Sequence, residues 1–156
     1  RSIWVTGVQT CALPICVPAL AQGFQDPDVE FRRNVALALG ALGGGWWFFD
    51  GKTRRVDISA AMPALMGAVN DTDSHVRAWA AQDIGDIGPK AAIAVPALLT
   101  LLASEDEGSR NGVCIALRGI GPAAHSALPA LRTALSDPSA DVRRFADLAI
   151  KSIEGQ

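Results

Sequence analysis

The sequence predicts an all-α superhelix of about four stacked helical pairs, and three observations carry that prediction. A Pro-Ala-Leu triplet recurs at Pro18, Pro63, Pro96 and Pro129. An arginine follows each proline by fourteen residues, at Arg32, Arg77, Arg110 and Arg143. The proline spacings are 45, 33 and 33 residues, so one unit repeats, with a 12-residue insertion in its first interval. A fixed period of this size marks a solenoid, whose stacked units each contact only their neighbours. The units fall at residues 17–43, 61–88, 94–121 and 127–153, with the insertion at 44–60.

Each unit reads as two short helices. The first opens at the proline, which suits a first helical turn because its missing N–H would have no partner there. Leu20, Leu65, Leu98 and Leu131 follow two positions later. Eight residues after the proline stand Asp26, Asp71, Ser104 and Asp137, side chains that favour turns and helix N-caps. The second helix then carries an apolar stripe, Val76, Ala80, Ile84 and Ile87 in unit two and Val142, Ala146, Ile150 and Ile153 in unit four. Those spacings keep to one helix face. Gly43, Gly88 and Gly121 come where a helix is stopped by a residue that tolerates positive φ. Pro89 and Pro122 forbid continuation.

At this point the strings VPAL…DPDVEFRRNVALALGALG and LPAL…DPSADVRRFADLAIKSI resemble HEAT repeats of the short, bilin-lyase-like type. The resemblance covers residues 17–153 and implies an α-α superhelix that serves mainly as an interaction platform. Residues 5–15, by contrast, resemble the translation of a short-read sequencing adapter. Residues 1–16 are therefore expected to be non-native, and the repeats to be a piece of a longer protein. Unit four is expected to be a terminal cap with a native C-terminus, because Asp147, Lys151 and Glu154 replace small residues there.

Charge and composition narrow the function classes. Lys and Arg number 14 against 16 Asp and Glu, for a net charge of −2. Leaving out Arg1 gives 13 against 16, or −3. Dedicated nucleic-acid binders show the opposite balance, which argues against nucleic acid as the partner. Outside residues 1–16 the one cysteine is Cys114, expected as a buried thiol with no disulfide framework. No stretch reaches the roughly 18–20 continuous apolar residues of a membrane span, so the expectation is a soluble, cytoplasmic chain with no membrane partner.

Four groups of residues are candidates for function. The arginine column of Arg32, Arg77, Arg110 and Arg143 lines up along the stack. It reads either as a structural ladder, each arginine paired near the preceding turn with a carbonyl or an acid such as Asp28, Asp73 or Asp106, or as a basic stripe doubled by Arg33 and Arg144. The HEAT resemblance implies the ladder. The insertion holds Trp46, Trp47, Phe48 and Phe49, then Asp50-Gly51, then Lys52, Arg54 and Arg55. Asp-Gly at that place is a hairpin signal, and four consecutive aromatics are costly to leave in water. They either pack back on the helices or anchor a partner beside a cationic rim. Trp79 and Phe145 share one offset on the second helices, where the family's superhelices form a concave face. Asp83 stands where the other units have alanine, and is either hydrogen-bonded locally or poised for a ligand.

No catalytic residue, metal site or cofactor is expected. The family's di-iron hydroxylases ligate metal through His-Glu dipeptides, whereas His75 is followed by Val76 and His125 by Ser126. No phosphate-binding loop, Cys-x-x-Cys pair or nucleophile–histidine arrangement occurs. The reading is a non-catalytic protein–protein interaction scaffold. The alternatives are an accessory or lyase-type subunit acting on a tetrapyrrole-bearing protein and, third, a nucleic-acid-binding solenoid.

Overall fold

A computed structural model describes residues 16–44 and 55–155. The described chain is helical throughout, with no strand. Four pairs follow one another: α1 (16–21) with α2 (Val29–Gly44), α3 (Met62–Ala68) with α4 (Ser74–Ile87), α5 (Val95–Leu102) with α6 (Glu107–Ile120), and α7 (Leu128–Ala134) with α8 (Ala140–Glu154). Pro63, Pro96 and Pro129 sit in the first turns of α3, α5 and α7, where the absent N–H costs nothing. The hairpin read at Asp50-Gly51 lies outside the described residues.

The turn inside each pair is built twice over from side-chain caps. Of the two roles the sequence allowed the residues eight past the proline, turn and N-cap, they take the turn. They accept from the backbone two positions on: Asp28 N to Asp26 Oδ1 (2.8 Å), Asp73 N to Asp71 Oδ1 (2.8 Å), Asp106 N to Ser104 Oγ (3.2 Å) and Ser139 N to Asp137 Oδ1 (2.8 Å). The N-cap is the residue two positions further on. Asp73 accepts from His75 and Val76, Asp106 from Ser109, and Ser139 from Val142. An extended N-cap residue aims its side-chain oxygen at the unpaired N–H groups of the first turn, which is why these helices start where they do.

Gly88 (φ 76°) and Gly121 (φ 66°) end α4 and α6 as expected, in a backbone conformation that side chains disfavour. Gly43 does not end its helix. It lies inside α2, buried, and a Cβ there would come 2.6 Å from Ile58. The helical run Ser74–Leu102 has the length and apolarity of a membrane span by composition, but Gly88 breaks it into α4 and α5.

The core runs the length of the stack. Leu65, Leu98 and Leu131 of the first helices are fully buried against Val76, Ala80 and Ile84, against Val113, Leu117 and Ile120, and against Val142 and Ala146 of the second helices. Each leucine contributes about 1.5–3 kcal/mol by leaving water. Cys114 is buried at a position that units one and two fill with Ala36 and Ala81, and burial pushes its thiol up to about 12.

The second helices pack on one another along the stack, α2 on α4, α4 on α6 and α6 on α8. Small residues let them approach at backbone distance. A Cβ on Gly112 would stand 2.5 Å from the Ala78 carbonyl oxygen, one on Gly85 2.7 Å from the Ala116 Cα, and one on Gly119 2.4 Å from the Gly85 oxygen. The 3-10 segments Gly88–Ala94 and Gly121–Ala127 lead from α4 to α5 and from α6 to α7. The second helices thus form one continuous layer, whose open surface is the inner face that the HEAT resemblance implies.

Candidate functional site

The arginine column is a ladder. In every unit Nη1 donates to two carbonyls of the preceding turn: Arg32 to Asp26 and Pro27, Arg77 to Asp71 and Thr72, Arg110 to Ser104 and Glu105, Arg143 to Asp137 and Pro138. The other edge of the guanidinium reaches forward into the next unit. Arg32 holds Asp71 with two bonds of 2.8 and 3.0 Å, and Arg110 holds Asp137 with two of 2.7 and 3.0 Å. Arg77 meets Ser109 Oγ at 3.2 Å, because unit three has Ser104 where the others have aspartate. The paired acids are thus not Asp28, Asp73 or Asp106 but the turn aspartates of the following unit. Arg110 holds the Asp137 carboxyl below the usual carboxylate range.

Arg33, which the sequence suggested as an extension of a basic stripe, is also engaged. It binds Asp73 through two bonds of 3.0 and 2.6 Å and Glu30 at 2.6 Å. That pairing holds the Asp73 carboxyl down at about 2. Arg144 lies over the Phe145 ring at 4.6 Å and 3.7 Å from Asp141.

The inner face presents a different set of side chains. Leu37 of α2, Gln82 of α4, Ile115 of α6 and Leu148 of α8 occupy the same place in their units, and Leu37 and Leu148 remain 50% and 36% exposed. Beside them, Trp79 and Phe145 are half-buried and pack on the core with their inner edges. His75 tilts against Trp79 with ring centroids 5.5 Å apart. Asp83 is 2% exposed and sits between α4 and α2, its Oδ1 against Gly40; a Cβ on that glycine would come 2.7 Å from it. Its Oδ2 has no hydrogen-bond partner among the described residues. Burial, helped by the nearby charge of Asp86, pushes the Asp83 carboxyl well above the ordinary value. Asp86, one turn further on, is also raised by burial, against the opposing field of Arg55. Among the described residues, Asp83 Oδ2 thus lacks the local hydrogen bond that one of the two sequence readings allowed.

Of the insertion candidates, Arg55 is described and exposed, while Trp46, Trp47, Phe48, Phe49 and Arg54 lie outside the described residues. A surface depression at the far end of the chain, lined by His125, Pro129, Arg132 and Glu154, is remote from all these candidates. Among the described residues no group of three or more His, Cys, Asp or Glu side chains is placed to hold a metal ion. Sequence reasoning missed the Arg33–Asp73 pair, Asp86 and the exposed Leu37 and Leu148. The last two share an offset and could have been found by aligning the units position by position.

A model of the PBS lyase HEAT-like repeat matches residues 76–104, which span α4 from Val76 through the following turn and α5. The fold is a HEAT-like repeat solenoid. Among solved structures an engineered protein matches with a TM-score of 0.74 at 21% identity, over 95% of this chain and 66% of that one. A designed armadillo repeat protein in complex with peptide (KR)4 matches with a TM-score of 0.68 at 17% identity, over 94% and 67%. The complex of CpcE and CpcF of phycocyanin lyase from Nostoc sp. PCC7120 matches with a TM-score of 0.53 at 21% identity, over 89% and 65%. At these identities the likeness shows the fold. The solenoid spans 66% of one engineered chain that it matches and 40% of another. A comparison with curated proteins finds no match.

Proposed function

We propose that this solenoid is a non-catalytic interaction scaffold whose inner face binds an extended segment of a partner protein. The observation that carries the reading is the row of exposed Leu37, part-buried Ile115 and exposed Leu148, with Gln82 at the same place in unit two and Trp79 and Phe145 beside it, along the face formed by the second helices. Apolar side chains repeated in register on an otherwise polar surface favour a partner's apolar side chains at matching spacing. A designed armadillo repeat protein of similar fold has a solved structure in complex with peptide (KR)4, which supports the same use here. The ladder arginines are not free for phosphate, since each spends its guanidinium on turn carbonyls and most also on the next unit.

The test is a displayed peptide library selected on the purified solenoid, with binders measured by fluorescence anisotropy. Leu37→Arg and Leu148→Arg are expected to abolish binding while leaving the melting temperature within a degree or two, because neither side chain is in the core. Binders indifferent to both substitutions would refute the inner face as the site. A second reading, an accessory or lyase-type subunit for a tetrapyrrole-bearing protein, draws on the PBS lyase repeat and on the CpcE–CpcF likeness. A shift in bilin absorbance on mixing with the solenoid would favour it.

A further inference from the structure

Each unit passes an arginine forward to the unit after it, and that relation stays open at both ends of the described stack. In the first interface Arg32 binds Asp71 and Arg33 binds Asp73, each through two hydrogen bonds. Arg33 also holds Glu30 of its own helix at 2.6 Å. Unit four repeats the giving half of this arrangement at the same offsets. Asp141, Arg143 and Arg144 stand where unit one has Glu30, Arg32 and Arg33. Arg143 uses only Nη1, on the Asp137 and Pro138 carbonyls, and Arg144 lies 3.7 Å from Asp141. Both arginines are exposed, whereas the side chains of Arg32 and Arg110, each covered by a following unit, are 12% and 14% exposed.

Unit one repeats the receiving half. Asp26 and Asp28 stand where unit two has Asp71 and Asp73. Among the described residues their carboxylates accept the backbone N–H groups of Asp28 and Glu30, and no arginine is bonded to either. Beside them Phe31 is 48% exposed, at the offset where Val76, Ser109 and Val142 are fully buried. That offset faces the preceding unit, since Ser109 Oγ accepts from Arg77 Nε. One end of the stack thus offers two guanidinium groups, and the other an apolar ring with two carboxylates. A guanidinium with an idle edge and a carboxylate gain most when they meet through two parallel bonds.

We infer that copies of this chain join head to tail, unit four of one copy setting Arg143 and Arg144 on Asp26 and Asp28 of the next, as Arg32 and Arg33 sit on Asp71 and Asp73 within the chain. The contact is heterologous, so it leaves a free end at each step and builds open chains rather than a closed dimer. It uses the ends of the stack and is independent of what the inner face binds. Lys151, paired with Asp147 at 2.6 Å, stands where unit one has Gly40, so α8 cannot approach a neighbour as closely as α2 approaches α4. The association is therefore carried by ion pairs at the surface, which makes it reversible and sensitive to salt.

Sedimentation velocity of the full chain over about a hundredfold range of concentration tests this. The weight-average mass is expected to rise with concentration at low salt, and the association constant to fall at least about tenfold between about 0.05 and 0.5 M salt. Arg143→Glu with Arg144→Glu should leave a monomer. So should Asp26→Asn with Asp28→Asn and Phe31→Lys, which keeps the turn and cap acceptors and sets a cation against the arginines. Arg144→Glu alone, at a residue bonded to no turn carbonyl, should weaken association several-fold, and circular dichroism checks that every variant is folded. Mixed together, the two end variants have one live end each and should form a 1:1 dimer and nothing larger. A parent that stays monomeric, a mixture that stays monomeric, or oligomers indifferent to salt and to both end variants would overturn the head-to-tail contact. Assembly lost on Leu37→Arg but kept in the end variants would put it on the inner face, and overturn the contact as well.

Discussion

Replacing Asp83 with alanine should make the solenoid more stable at neutral pH and less sensitive to it. Asp83 is 2% exposed, and its Oδ2 has no partner. Leaving such a group buried and unsatisfied costs about 1–3 kcal/mol. Alanine at the same offset is what α2, α6 and α8 already use, as Ala38, Ala116 and Ala149. The exchange also gains about 0.5 kcal/mol in helix propensity. Against this stands a small void facing Gly40, worth about 1 kcal/mol at the density of residual cavities. The balance is a stabilisation of about 1–2 kcal/mol, or a Tm higher by about 3–6 °C in a chain of this length. The pH dependence is the sharper signature. Burial raises the folded carboxyl above its unfolded value, so the folded state binds more protons and its stability falls as pH rises from about 4 through the folded value. Urea denaturation of both proteins from pH 4 to pH 8 should show the advantage of Asp83→Ala growing with pH. A variant less stable at pH 7.5, or one whose difference from the parent does not change with pH, would refute the reasoning.

The ladder should fail in proportion to what each arginine holds. Arg110→Ala breaks a buried two-bond pair and frees two turn carbonyls, for a loss of about 2–4 kcal/mol in urea denaturation. Arg143→Ala, which removes only turn contacts, should cost about 1 kcal/mol. Gly112→Ala is expected to destabilise by about 1–3 kcal/mol despite the better helix former, because its Cβ would meet the Ala78 carbonyl oxygen at 2.5 Å. Asp73, depressed to about 2, stabilises the fold above about pH 4, and that contribution is lost as pH falls through 2. Asp73→Asn should therefore flatten the acid limb of the stability profile. Cys114, buried and with its thiol near 12, should react with a thiol reagent at pH 8 only on unfolding, whereas exposed Cys16 reacts at once.

The HEAT-like stack and the ladder were legible because they are periodic: one proline, one leucine and one arginine per unit mark the same place four times. The candidate site was legible only as departures from that period. Trp79 and Asp83 stood out as misfits, yet nothing in the sequence says that Asp83 would find no donor, or that Asp86 and Gly40 border it. Leu37 and Leu148 look like core residues by type, and only their offset puts them outside.

By itself the sequence determined where helices start and stop, and which stripe of each is apolar, because caps, prolines and 3.6-residue spacing act within a few residues. Tertiary structure decided which partner each charge meets. Arg32 and Asp71 are 39 residues apart and Arg110 and Asp137 are 27, so their meeting depends on how one unit is set upon the next. Packing of second helix on second helix fixes that setting, α2 on α4 for the first pair and α6 on α8 for the second. The contact of α2 with α4 at Gly40 likewise encloses Asp83, and leaves one carboxyl oxygen with no donor among the described residues where the other units have a methyl group.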